Sequence, residues 1–98
     1  MAFLEKYDFD LLKNEAETLV IQEIERQVKS GHEGMCLCNE CVVDIAAISL
    51  NSIRPLYRFS LLGSLYASQA MSEEDYAKSI KDAVNVAIRK VKRNPSHD

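Results

Sequence analysis

Apolar side chains recur every three to four positions over two long parts of the chain. Leu12, Ala16, Leu19, Val20, Ile24 and Val28 form one stripe, with Glu15, Glu17, Glu23, Glu25 and Arg26 mostly off it. That period predicts an amphipathic helix from Asp8 or Asp10 to Lys29, stopped by Ser30-Gly31. A second stripe runs through Tyr76, Ile80, Ala83, Val84, Ala87, Ile88 and Val91. It predicts a helix opened by the "SEED" sequence at 72–75, with Ser72 as N-cap, and closed by Asn94-Pro95. Between them Val42, Val43, Ile45, Ala46, Ala47, Ile48 and Leu50 are apolar nearly all round. They predict a helix from Asn39 or Glu40 to about Ile53, ended by Pro55, that is central in the core or shared with a second subunit.

Residues 56–71 follow neither period and carry Gly63 in their middle, so a loop with a short helical or extended piece is expected there. No alternating strand pattern and no repeat stand out. The expected fold is all-α: one domain over residues 1–98, three main helices, and a cysteine loop at the start of the second.

Composition adds only bounds. The chain is 47% hydrophobic and 28% charged over 98 residues, as in a folded domain whose small core would gain from a metal or a partner subunit. Neither a signal-peptide pattern nor an apolar run long enough for a bilayer is present, so a cytoplasmic protein is expected. The net charge of −3 speaks against general coating of nucleic acid. It is unevenly spread. Residues 1–34 hold eight acids against four bases, whereas Arg89 to Arg93 place four bases in five positions. Such a basic end complements the dipole of the helix it closes; anion binding is its other use.

All three cysteines, Cys36, Cys38 and Cys41, lie in "GMCLCNEC". Such clustering in a reducing compartment points to metal binding ahead of a Cys38/Cys41 redox pair or three inert buried thiols. Zinc binds thiolates tetrahedrally, and a helix N-terminus favours thiolate over thiol. A closed zinc site needs a fourth ligand, and His32 and His97 are the two histidines available. Asp44 suits a supporting position near the knot.

From Cys36 to Tyr57 the chain resembles the ComFB family: C-x-C-x-x-C, an Asp, an Ala/Leu-rich helix, then a segment similar to Asn-x-Leu-Pro-Pro-Arg-Tyr. Cys36, Cys38, Cys41, Asp44, Ala47, Leu50, Asn51, Pro55 and Tyr57 match in place, and "NPSH" resembles the family's ending. The resemblance implies a helical, dimeric protein with a structural zinc ion, and it favours His97 over His32 as fourth ligand. It also implies a regulatory protein, with some members similar to receptors for cyclic dinucleotides such as c-di-GMP or c-di-AMP. Here Arg54 replaces the first proline and Leu56 the arginine of that segment, so the positive charge shifts to Arg54 and Arg58. Arg54, Tyr57 and Arg58 are the candidate ligand residues, since phosphates want cations and bases want flat rings.

No nucleophile–base pair or phosphate-cradling glycine loop is visible, so an enzyme is not expected. The alternative to a ligand-sensing regulator with an unknown protein partner is a structural or interaction module, tied to competence or motility, that binds no small ligand.

Overall fold

A computed structural model describes residues 2–31, 34–58 and 73–95. Helix α1 (Ala2–Lys6) and a 3-10 turn (Phe9–Leu11) precede a two-residue strand β1 (Lys13–Asn14). Helix α2 (Ala16–Lys29), helix α3 (Asn39–Asn51), strand β2 (Tyr57–Arg58) and helix α4 (Glu73–Arg93) follow. The protein is thus mostly helical with three main helices, as the hydrophobic pattern predicts. The cysteine cluster lies just before and at the start of α3.

Helix α4 holds to its stripe: Tyr76, Ile80, Val84, Ala87, Ile88 and Val91 are buried. Acids fill its first turn and bases its last, the order its dipole favours. Ser72, the expected N-cap, lies outside the described residues. Ala16, Val20 and Ile24 of α2 and Cys41, Ile45 and Ser49 of α3 meet this stripe to make one core. Gln27 of α2, itself buried, donates through Nε2 to the Lys81 carbonyl of α4 at 3.0 Å.

The first helix starts later than its pattern suggests. Leu12 and Leu19 extend the apolar stripe, yet both are exposed and α2 begins only at Ala16. Asn14 decides this. Its Oδ1 accepts from the Ala16 N–H at 3.2 Å and from the Leu56 N–H at 2.8 Å, while the Glu15 N–H donates to the Leu56 carbonyl at 2.9 Å. These bonds join the start of α2 to the chain beyond α3, so β1 pairs antiparallel with β2, Lys13 opposite Arg58 and Asn14 opposite Tyr57. A continuous helix through Asn14 would lose all of them.

Helix α3 ends at Asn51, slightly before the position the sequence suggests, with Ser52 as its C-cap. It is not enclosed all round. Within one chain it buries the stripe Cys41, Ile45 and Ser49, whereas Val43 is 57% exposed. Of the expected irregular segment 56–71, residues 57 and 58 form β2, and 59–71 lie outside the described residues.

Replacing Asn14 with Ala removes one acceptor from two backbone donors. We expect a loss of about 1–2 kcal/mol in urea unfolding, with Asn14→Asp, which keeps the acceptor, less damaging.

Candidate functional site

The loop carrying the cysteines begins where α2 stops. Ser30 caps α2, its N–H donating to the Arg26 and Gln27 carbonyls, and Gly31 follows at φ +128°, a conformation side chains rarely tolerate. Gly34, at φ +80°, makes a second such turn. Met35 then enters the core and fixes the loop against it.

Three thiols converge from this point. Cys36 and Cys38 are half-buried and Cys41 is fully buried. Their sulfurs lie within 4.8 Å of one another. A tetrahedral ion with metal–sulfur bonds near 2.3 Å sets its sulfurs about 3.8 Å apart, so the three thiols already approach one coordination face. Cys38 is also the N-cap of α3, and its Sγ accepts from the Cys41 N–H at 3.4 Å. The helix thus supplies Cys41 from its first turn and Cys38 from its cap, and the dipole favours negative charge at both.

The thiols are unequal. The Cys38 N–H, and then the Cys38 thiol, stabilise the Cys36 thiolate and hold its pKa below the usual thiol value. At Cys38 the Cys41 N–H favours the thiolate, but burial, the other two cysteines and Glu40 outweigh it and push its pKa up to about 11. Crowded sulfurs resist ionising together, and a bound cation removes that conflict. The residues therefore fit a thiophilic metal ion held by Cys36, Cys38 and Cys41. The two candidates for a fourth ligand, His32 and His97, both lie outside the described residues.

The other end of α3 carries the second group of candidates. Tyr76 of α4 donates its hydroxyl to the Arg54 carbonyl, and burial raises the pKa of that phenol. With Asn14 and Glu15 holding Leu56, the segment from Arg54 to Leu56 is clamped between the starts of α2 and α4. Its side chains are less constrained. Arg54 is exposed and Tyr57 is 51% exposed; among the described residues neither an ion pair of Arg54 nor a ring contact of Tyr57 occurs. Arg58 follows in β2. The strand pairing also brings exposed Lys13 opposite Arg58. Sequence reasoning missed Lys13, because a helix drawn through residue 13 hides that pairing.

Residues 13–95 match the family model described as late competence development protein ComFB. The chain is also similar to a solved structure titled "Structural characterization of the late competence protein ComFB from Bacillus subtilis", at 22% identity. That match has a TM-score of 0.66 and covers 87% of this chain and 92% of the other. Comparison with curated proteins finds no match. No helix among the described residues is long and apolar enough to cross a membrane.

Because each thiol must lose its proton to bind metal, affinity should rise with pH from about 6 to about 8, with protons released on loading. A chelator-competition titration that gave equal affinity at both ends would rule out thiolate ligation. Chelation should also lower the melting temperature, and Cys41→Ser should abolish that response.

Proposed function

The chain belongs to the ComFB family, and on that premise we propose that it is a non-catalytic regulator, a homodimer stapled by zinc, that responds to a cyclic dinucleotide. Cys36, Cys38, Cys41 and His97 hold one structural zinc ion per chain in this reading. Three thiolates and an imidazole make a closed tetrahedral set, which leaves no open position for a substrate. The partly uncovered apolar surface of α3, with Val43 outermost, supports a contact between two copies.

One observation carries the ligand reading: the backbone from Arg54 to Leu56 is fixed at both sides while Arg54 and Tyr57 stay available. A site whose backbone is already ordered spends less binding energy on ordering. Arg54 and Arg58 supply positive charge for phosphates, and Tyr57 a ring for a base. A two-fold dimer would offer two such sets to a two-fold ligand. The second reading, an interaction module linked to competence or motility without a small ligand, is favoured by Leu56, which stands where the family segment has arginine.

Calorimetric titration with c-di-GMP and c-di-AMP separates the two. Binding of one nucleotide, weakened about tenfold or more by Arg58→Ala, is the expected result, the scale of one charge-assisted contact. Absence of heat from both removes the ligand reading. For the metal, His97→Ala should lower zinc content and stability while His32→Ala leaves both unchanged; the reverse outcome assigns the fourth ligand to His32.

A further inference from the structure

Residues 2–12 lie ahead of the stretch that matches the family model, and they contribute no buried residue to the core. Phe3, Tyr7 and Phe9 gather instead on one another, with ring centroids 5.1 to 6.4 Å apart. Six large apolar side chains stay exposed here: Phe3, Leu4, Tyr7, Phe9, Leu11 and Leu12. Each is half exposed or nearly so, and together they leave on the order of 600 Å² of apolar side chain facing water.

The same segment forms one wall of an open groove of 640 Å³, with α2 as the other wall. Phe9, Leu12 and Leu19 give it an apolar floor, and Asp10, Glu15 and Glu17 outnumber Lys13 as its charged lining. A phosphate-bearing ligand would be repelled there. A cationic helix would not. Helix α4 ends in Arg89, Lys90, Lys92 and Arg93, all exposed, with Val86 46% exposed one turn earlier. Among the described residues these four cations make no ion pair.

We propose that the acidic, apolar groove between residues 9–14 and α2 of one copy receives the basic end of α4, Val86 to Arg93, of a second copy. Arg89 and Arg93 are one turn apart on a helix, as are Val86 and Arg89. That face presents guanidinium groups to carboxylates and rings, and a valine to the leucines. Charge complementarity selects this occupant: the groove lining is net acidic by two, from three acids and one base, and the α4 end carries four positive charges. The contact is reciprocal, so each copy gives one helix end and one groove.

The test uses the full chain with benzoylphenylalanine in place of Phe9, mixed as light and heavy-isotope copies and irradiated. Mass spectrometry should find light-to-heavy crosslinks from position 9 into peptides covering residues 86–93. The double variant Arg89→Glu/Arg93→Glu should lower their yield about tenfold, the scale of losing two exposed ion pairs and gaining repulsion. Adding Asp10→Lys/Glu17→Lys should restore it. Both variants change exposed positions, and circular dichroism checks that the fold is kept. Crosslinks confined to one chain, crosslinks into α3, no crosslinks, or a yield indifferent to charge reversal would each overturn the proposal. Crosslinks into α3 would leave a dimer through that helix standing, so the two contacts are told apart.

Discussion

The seating of α3 against α4 is the contact on which the rest of the structure depends. Ile45, at the middle of α3, is wholly buried, as are Val84, Ala87 and Ile88 of α4. Along α3 this burial covers one stripe, set by Cys41, Ile45 and Ser49, one of which is a serine whose hydroxyl donates to the Ile45 carbonyl. Val42, Ala46, Ile48 and Leu50 flank this stripe, half-buried against the same core. Both ends of α3 are in addition fixed by polar means. At its start, Cys38 caps the helix beside a metal-competent set of thiols. Past its end, Asn14, Glu15 and Tyr76 hold the chain by backbone carbonyls and N–H groups.

This arrangement links the two candidate sites mechanically. Metal at Cys36, Cys38 and Cys41 would tie the loop after α2 to the first turn of α3. The clamp on residues 54–56 ties the far end of α3 to the starts of α2 and α4. A change in how α3 sits is thus felt at both ends, because packed helices move as units and not by gradual bending. That is a physical route by which a ligand at Arg54 to Arg58 could alter the exposed side of α3 and whatever covers it.

How much of this could be read from residues depends on the range of the deciding interaction. The stripe of α4 and the convergence of the cysteines were legible, because both are set by spacing along a short piece of chain. Leu12 and Leu19 misled for the same reason: they obey the helical period but stay exposed, Leu12 ahead of α2 and Leu19 on its groove side. What ends the regularity before Ala16 is a bond between Asn14 and Leu56, 42 positions apart, and periodicity carries no record of such a partner. The β1–β2 pair escaped notice because strands of two residues are too short to show alternation. For α3, an all-round apolar sequence signals burial without saying by what, and one chain covers it only in part.

Charge layout imposes a final constraint on any assembly. The small net charge of −3 conceals a molecule with acids gathered ahead of and along α2 and bases gathered at the end of α4. At physiological salt, charges farther apart than about 8 Å are largely screened. Each acts locally, on what comes within contact distance. The basic end of α4 also sits where the helix dipole wants cations, which stabilises those residues without giving them a partner. Helix stability alone is therefore a sufficient reason for the bases, but not for the exposed rings and leucines of residues 3–12. Those side chains gain nothing from a dipole and lose by facing water, a loss that a covering surface removes.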